Sequence, residues 1–496
     1  MKRSQIFILA LVVALLLLQF FLRTHHLTVQ DPYLDEGFHI KRAEHAWSFE
    51  EHPGRFSHGK VLLYYWLGLF QLKPDNALPA ARAGMAIFSL ITSATIFTLG
   101  KYLFNRGAGL IALGLYAVLP LALFYERMAM ADPLALGLSA LIGWRSLIFA
   151  RRPTQREGVI LGVLITMATL AKLTMGLMPA FPVAAALIYY PWQKGDLRSQ
   201  ARRWFNTYFP PLLLAALVVA VLWGFMVIPA YLARNSDRPF ILVDAFNRRS
   251  EAKDPDTPIE YVEQLMPLVY EMTSRGFMAA ALGAIVGLLA AWALNRGLRR
   301  ALYPCLGYRK QKKPTMPGLR STLYAVVWLL LILLLPFMEA RLVTMRYFMP
   351  AAGPLVLILG AAGATLWQIR LPWINLLIRA GVIVLIGAWV WQFALPFIRD
   401  DLTDPAQLPF TGTNNTEYQR GYLIADDAVR AAAHTLNQTE PPAKHIYANW
   451  WLCHLLYFYT AQDVQCLSEK TSTQELRTFL DDDLAPGESA YLALSG

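Results

Sequence analysis

Two adjacent carboxylates follow the first hydrophobic run of this chain. Asp35 and Glu36 lie in the segment 31–39, DPYLDEGFH, soon after an apolar stretch that ends near residue 22. Ionised groups beside a membrane cost free energy unless they are paired or in contact with water. The two side chains are therefore candidates for chemistry, and a carboxylate placed there can accept a proton from an attacking hydroxyl or amine.

Other charges stand at the ends of later apolar runs. Asp132 precedes Pro133 and could simply be the N-cap of the next helix, while Arg127 could anchor a helix end at the membrane surface. The remaining charged or aromatic residues at such positions are Lys172, Glu339, Arg341, Arg346 and Tyr347. A few carboxylates, several cations and an apolar surround suit an anionic headgroup on a lipid tail, because the cations can hold a phosphate and stabilise its charge.

The composition is that of a polytopic membrane protein. Of the 496 residues, 56% are hydrophobic and 16% are charged, and the mean hydropathy is +0.38. A soluble domain carries about 25% charge. The formal net charge of +11 does not indicate nucleic-acid binding, because the basic residues collect in short connections between apolar runs, as membrane topology requires.

Apolar runs long enough to span a bilayer recur along residues 1–397. The first run, at 6–22, follows Lys2 and Arg3 and lacks a cleavage site, so we expect an uncleaved helix with a cytoplasmic N-terminus. Including it, about eleven transmembrane helices are predicted, the others at 82–104, 107–124, 133–150, 158–174, 177–191, 210–232, 276–296, 321–338, 347–368 and 375–397.

The loop after the first helix, residues 23–60, is predicted to be extracytoplasmic. Apolar residues share one face of a short helix at 36–48, and the run at 61–72 is too short to cross a core of about 30 Å. Both segments are therefore predicted to be juxtamembrane helices that lie along the surface.

The last part of the chain, residues 398–496, is polar enough to fold in water and is the second predicted domain, after a membrane-embedded module at 1–397. Its strand-like and helix-like segments alternate, at 424–437, 444–449, 450–460, 463–467, 472–482 and 490–494. This alternation predicts a small extracytoplasmic α/β domain. Cys453 and Cys466 lie within it and can pair if it faces an oxidising space.

Several of the charged residues lie in short motifs that stand in order along the chain. These are residues 33–39 (YLDEGFH), 57–66 (SHGKVLLYYW), 81–84 (ARAG), 126–134 (ERMAMADPL), 170–173 (LAKL) and 346–350 (RYFMP). In order and placement they resemble the motifs of family 39-type glycosyltransferases of the GT-C fold, which include the protein O-mannosyltransferases and the lipid A aminoarabinose transferase. The resemblance covers most of 1–397 and leaves out the tail.

This resemblance implies an all-α membrane module that transfers a sugar from a polyprenyl- or dolichyl-phosphate donor to an acceptor at the extracytoplasmic face, usually with inversion. Asp35 would be the general base with Glu36 beside it, and Asp132 would position the acceptor or a metal ion. The donor phosphate would contact Arg127, Lys172, Arg341, Arg346, Tyr347 and Lys60. Residues 58–61 read HGKV where the family has Lys-Pro-Pro-Leu, so the chain departs from the pattern at Lys60.

Histidines raise the separate question of a metal ion. Six of the nine lie in the first loop, namely His25, His26, His39, His45, His52 and His58. On a helix, Asp35 and Glu36 stand four and three residues before His39, which is compatible with one divalent ion. Hydrogen-bonded or interfacial histidines explain the same pattern. A metal held by Asp35, Glu36, His39 or Asp132 is therefore left open.

Two other classes of protein are also left open. A transporter would place ionisable residues at mid-bilayer in broken helices and relate two halves by a repeat. No such repeat is visible, and the charges gather near one membrane face. A non-catalytic scaffold would use the carboxylates as interface anchors. The sequence does not predict the sugar, the lipid carrier or the acceptor, which could be a protein, a lipid or a polysaccharide.

Overall fold

The structure is a computed structural model and describes most of the chain. The described residues are 3–57, 59–70, 72–73, 76–193, 195–232, 258–302, 318–339, 343–368, 374–438, 445–456, 458–460, 464–467 and 490–493. Within them the chain is a polytopic helical bundle followed by a small three-stranded sheet, which confirms the predicted fold class.

Helices occupy each position at which the sequence predicts a span. They are α1 (Arg3–Thr24), α5 (Ala77–Leu103), α6 (Arg106–Val118), α7 (Pro120–Glu126), α8 (Ala131–Arg151), α9 (Gln155–Ala171), α10 (Ala180–Tyr189), α11 (Leu197–Leu232), α13 (Arg275–Leu302), α14 (Leu319–Glu339), α15 (Ala352–Trp367) and α16 (Ile374–Trp389). In the described residues, seven helical spans are long and apolar enough to cross a membrane, or eight if α6 and α7 are one bent span. The prediction of about eleven crossings stays a prediction.

Three short irregular segments interrupt the apolar runs. Pro120 begins α7, which bends by 59° from α6. Lys172 ends α9 and is followed by a 3₁₀ segment, Leu173–Leu177. A second 3₁₀ segment, Met345–Ala351, precedes α15. Non-helical backbone at membrane depth is tolerated only where it is buried in protein or lines a water-filled cavity. These short segments are therefore places where polar side chains can gather.

Two of the three helices in the loop after α1 are those predicted at the membrane surface. They are α2 (Leu34–His45), α3 (Pro53–Phe56) and α4 (Val61–Gly68). The helices predicted at 36–48 and 61–72 correspond to α2 and α4, and α4 is too short to cross a bilayer. Because α2 packs on α4 and on the start of α5, its first turn is held against the bundle.

The tail contains the predicted alternation of helices and strands. Its elements are α17 (Leu395–Thr403), α18 (Gly412–Asn414), a π-helical turn (Asn415–Arg420), α19 (Gly421–Gln438), β1 (His445–Asn449), α20 (Trp450–Leu456), β2 (Val464–Leu467) and β3 (Ala490–Ala493). Short helical turns precede and follow α17, at Val390–Ala394 and Pro405–Gln407. The helix α12 (Pro258–Thr273) lies earlier in the chain, between α11 and α13. The strands form a parallel sheet in the order β2-β1-β3. The predicted helix at 472–482 lies outside the described residues, and α17 runs across the predicted domain boundary at 397.

A disulfide joins the sheet to the helix beside it. Cys453 on α20 bonds to Cys466 on β2, thirteen residues away. A bridge that closes a loop of this length stabilises a fold by about 3 kcal/mol, because it restricts the unfolded chain.

We therefore expect Cys453→Ser to loosen the tail. Limited proteolysis of the detergent-solubilised protein should cleave the tail faster in this variant, and in the wild type after reduction. Cys305→Ser is the matched control, because Cys305 is the third cysteine and takes no part in the bridge. Equal cleavage rates in the two variants would contradict a stabilising bridge.

Candidate active site

Asp35 forms an ion pair with an arginine from the segment that precedes α15. It lies in the first turn of α2, and its Oδ2 accepts a hydrogen bond of 2.7 Å from Nη1 of Arg346, on the 3₁₀ segment before α15. The side chains remain 32% and 20% exposed. This ion pair is therefore reachable from outside the fold, unlike the buried pairs described below.

A second ion pair lies beside the first. Asp132, in the first turn of α8, accepts a hydrogen bond from Nζ of Lys172 at the end of α9. The ring of Tyr347 connects the pairs, because its centroid is 4.2 Å from Nζ of Lys172 and 5.5 Å from Cζ of Arg346. Residues more than 200 positions apart in the sequence therefore share one site.

Lys60 adds a third cation. Its Nζ lies 3.0 Å from Nε2 of His39, a buried residue one turn after Asp35 on α2. Because an ammonium group only donates hydrogen bonds, Nε2 of His39 is the acceptor here. Lys60 makes no salt bridge with any carboxylate among the residues that the structure describes.

These charges set the ionisation of the site. Burial opposes ionisation of Asp35, but the charges of Lys60 and Arg346 outweigh it and hold the pKa of Asp35 well below its usual range. Burial lowers the pKa of Lys60 to about 8, although the charge of Asp35 opposes this. Burial and the charge of Lys60 lower the pKa of His39 well below its usual value, so its imidazole is neutral at pH 7.

Glu36 points away from this group, in contrast to the expectation that it lies beside Asp35 in the site. Its carboxylate is fully buried and accepts hydrogen bonds from Arg82 (2.9 and 2.6 Å), from the backbone N–H of Ala129 (2.7 Å) and from that of Tyr33 (2.9 Å). Arg82 also donates to the backbone carbonyls of residues 27, 30 and 31. Glu36 is therefore a positioning residue that fixes the start of α2.

Arg127 is likewise structural, which corrects its assignment to the donor phosphate. Its guanidinium is 1% exposed and donates to the carbonyls of Leu22 (2.9 Å), His25 (2.7 Å) and His26 (3.0 Å). Its Nε lies 3.1 Å from Oδ2 of Asp401. The contacts satisfy carbonyls at and just after the end of α1, where helical donors run out, and the carbonyl of His26 also accepts a hydrogen bond from the backbone N–H of Val29.

The remaining predictions concern Arg341 and a metal ion. Arg341 lies outside the described residues. The candidate ligands Asp35, Glu36, His39 and Asp132 do not come together as a set of three within the described chain. Each of the three carboxylates is instead occupied by an arginine or a lysine of the protein. This donor set does not fit a metal ion, so we derive no chemistry through one.

Sequence reasoning missed three partners in and around the site. Arg82 stands inside the motif at 81–84, and a lone arginine in an apolar helix is the signal that could have revealed a buried partner for Glu36. Thr344 and Glu417 meet at the edge of the site, where Oγ1 of Thr344 donates a hydrogen bond of 2.9 Å to Oε2 of Glu417. Glu417 belongs to the tail, whose pattern gives no hint of this contact.

Comparison with protein families matches part of the chain. Residues 58–227 match a family described as dolichyl-phosphate-mannose-protein mannosyltransferase. The matched region includes Lys60, Asp132 and Lys172, and it ends before Arg346. A search of curated proteins found no significant match.

Solved structures match over nearly the whole chain. ArnT from Cupriavidus metallidurans bound to undecaprenyl phosphate has 16% identity and a TM-score of 0.53, covering 98% of this chain and 89% of that one. Its apo state has 16% identity and a TM-score of 0.55, covering 99% and 90%. The archaeal oligosaccharyltransferase AglB from Archaeoglobus fulgidus, in complex with an inhibitory peptide and a dolichol-phosphate, has 10% identity and a TM-score of 0.53, covering 94% of this chain and 65% of that longer one.

At these identities the likeness establishes the architecture, and it agrees with the order of elements found here. The protein is an integral membrane protein with the GT-C fold of polytopic glycosyltransferases, similar over residues 58–227 to the dolichyl-phosphate-mannose-protein mannosyltransferases.

Proposed function

We propose that the protein is a membrane glycosyltransferase that takes a sugar from a polyprenyl- or dolichyl-phosphate donor, with Asp35 as the general base. The carrying observation is the partly exposed pair of Asp35 and Arg346, beside the pair of Asp132 and Lys172 and the additional cation of Lys60. The structures of ArnT with undecaprenyl phosphate and of AglB with a dolichol-phosphate support a lipid-linked donor.

The charges around Asp35, Asp132 and Lys60 favour an anionic ligand at Lys60. Two carboxylates are matched by two cations, and Lys60 is left with a neutral histidine as its partner. A lipid phosphate supplies the missing negative charge, and hydrogen bonds from ionised donors to phosphate are among the strongest in proteins. Lys60 and Arg346 are therefore the primary phosphate contacts in this proposal. Tyr347 and Lys172 lie next to Arg346 in the same site.

The donor phosphate also activates Asp35. In the resting structure Arg346 holds the carboxylate and keeps its pKa low, which makes it a weak base. When the guanidinium turns to the phosphate, Asp35 loses its strongest hydrogen bond and its basicity rises. The carboxylate then takes the proton from the attacking hydroxyl or amine of the acceptor.

In the transfer step, the acceptor oxygen or nitrogen forms a bond to the anomeric carbon as the bond from that carbon to the phosphate oxygen breaks. The electron pair leaves with the lipid phosphate, whose added charge Lys60 and Arg346 stabilise. A direct displacement of this kind inverts the anomeric centre. Asp132, held by Lys172, lines the same site and is placed to orient the acceptor.

The proposed topology places this site outside the cytoplasm. Positive charges at the N-terminus and in the loops assigned to the cytoplasm favour this orientation. The tail would then face the same side as the site, where a disulfide between Cys453 and Cys466 is stable. The acceptor could be a protein, a lipid or a polysaccharide.

The direct test combines binding with glycan analysis. Purified protein in lipid nanodiscs should bind undecaprenyl phosphate, and Lys60→Met should weaken that binding. Mass spectrometry of glycans and lipid-linked sugars from cells with and without the gene should show a missing glycan and an accumulated donor. Flux of a sugar into sealed vesicles without any lipid-linked donor would instead identify a transporter.

The affinity for undecaprenyl phosphate should depend on pH through Lys60. Since the pKa of Lys60 is about 8, the ammonium loses its proton as pH rises above that value, while the phosphate, whose second pKa is about 6, keeps its charge. We expect the dissociation constant to rise about tenfold between pH 7 and 9.5, the loss of one charged hydrogen bond.

Lys60→Arg is the matched control, because a guanidinium stays protonated over this range. Its affinity should be nearly constant with pH, and a fall as steep as that of the wild type would assign the titration to another group.

A further inference from the structure

Glu417 comes to the edge of the site from the tail. It lies on the π-helical turn Asn415–Arg420, and its Oε2 accepts a hydrogen bond from the hydroxyl of Thr344. Thr344 stands two residues before Arg346 on the same short segment. The carboxylate of Glu417 therefore contacts the same short segment that carries the guanidinium holding Asp35, although Glu417 and Asp35 are far apart in the sequence.

The turn that carries Glu417 is firmly held. The next residue, Tyr418, is 4% exposed and its hydroxyl lies 3.1 Å from that of Tyr125. Its ring packs against the rings of Phe124 and Tyr33, with centroids 5.3 and 5.6 Å apart. Rigid support of this kind fixes the direction of a neighbouring side chain, which is what a binding residue requires.

Tyr33 packs against Tyr418, the neighbour of Glu417, and is also affected by the charges of the pair of Asp35 and Arg346. Burial raises the pKa of Tyr33, and the charges of Arg346, Asp35 and Glu417 all act on it. These groups consequently lie within electrostatic reach of one phenol. Tyr33 directly precedes α2, so the turn that carries Glu417 packs, through Tyr418, against the start of the helix that presents Asp35.

The charge pairing of Glu417 differs from that of Asp35 and Asp132. Asp35 and Asp132 each hold a cation, whereas Glu417 makes no ion pair within the described part of the chain. The hydrogen-bond donor that it has among the described residues is the neutral hydroxyl of Thr344. An ionised carboxylate can accept about four hydrogen bonds, so Glu417 has capacity left for a ligand.

We propose that Glu417 is a substrate-binding residue whose carboxylate accepts a hydrogen bond from a hydroxyl or ammonium group of the transferred sugar or of the acceptor. The inference rests on the proposed function and deepens it. The cations of Lys60 and Arg346 take the phosphate on one side, and Glu417 takes a hydrogen-bond donor on the other. A site divided in this way orients both substrates around Asp35.

The test compares Glu417→Gln with Glu417→Asp and with Glu260→Gln, which removes the same charge from an exposed position on α12. Three quantities are measured for each variant: affinity for undecaprenyl phosphate, affinity for undecaprenyl-phosphate mannose, and the glycan formed in native membranes. Loss of a hydrogen bond to a charged group should lower the third quantity about tenfold to a hundredfold in Glu417→Gln. Glu417→Asp should recover part of it, and Glu260→Gln should match the wild type.

The three measurements distinguish a bound group of the transferred sugar from a bound group of the acceptor. If affinity falls only for the sugar-bearing lipid, Glu417 binds the sugar. If both lipids bind normally and glycan formation falls, it binds the acceptor. Unchanged glycan formation, or weaker binding of undecaprenyl phosphate without recovery in Glu417→Asp, overturns the inference. A wild type that binds no undecaprenyl phosphate and forms no glycan overturns the proposed function itself.

Discussion

Asp35→Asn should lower sugar transfer by about 100-fold or more, the usual contribution of a general base. The amide has nearly the shape of the carboxylate and still accepts a hydrogen bond from Arg346, so the fold should persist. It cannot take the proton of the attacking group. Glycan formation in membranes, measured by mass spectrometry against protein abundance, gives the result.

Binding of undecaprenyl phosphate provides the internal control for this variant. With Asp35 neutral, Arg346 is released from its ion pair, so affinity for the lipid phosphate should be unchanged or higher. Loss of transfer together with retained binding assigns Asp35 to the chemical step. Transfer at the wild-type rate would remove Asp35 from the mechanism.

Arg82→Met should produce the largest loss of stability. The guanidinium is 1% exposed and lies 2.6 Å from the fully buried carboxylate of Glu36. Removing one partner of a buried ion pair costs about 3–5 kcal/mol, because it leaves an uncompensated charge. The variant also leaves three backbone carbonyls of the first loop without this donor.

The measurements are abundance in membranes and the thermal unfolding midpoint in detergent. Arg145→Met is the matched control, because Arg145 pairs with Glu157 where the two side chains are 19% and 12% exposed. Solvent reaches this pair and screens it in part, so its loss should cost less than the loss of a fully buried pair. If both variants unfold at the same temperature, the pair of Arg82 and Glu36 does not hold the first loop as described.

The site could be predicted from the sequence because charge is rare in this chain. Asp35, Asp132, Lys172 and Arg346 all stand at the ends of apolar runs, where only function or a buried partner justifies an ionised group. The runs predicted the helices, and the helices bring their ends to one side of the bundle. Lys60 was also placed in the site, through its position in a motif.

The direction of each side chain could not be predicted. Successive residues on a helix point about 100° apart, so Asp35 and Glu36 face different surroundings, and the sequence does not say which one faces the bundle. Arg127 and Arg346 pose the same problem, because both follow or precede an apolar helix. Arg127 satisfies the carbonyls at the end of α1, whereas Arg346 faces the site. This difference depends on contacts between distant segments.

Contacts made by the tail were the least predictable. Glu417 lies in a segment without hydrophobic periodicity, and only the packing of Tyr418 brings it to the site. The strands of the sheet were predicted because their apolar residues are short runs bounded by polar ones. The packing of α20 on α2 depends on shape, which no local pattern encodes.

Gly37 lies where the tail packs against α2. A side chain at this position would meet the backbone carbonyl oxygen of His454, on α20, well inside van der Waals distance. The tail therefore rests directly on the backbone of the helix that presents Asp35, two residues away. A tail exchanged from a distant homologue would have to reproduce this fit. Substitutions in α20 should therefore require matching substitutions on the face of α2 that contacts it.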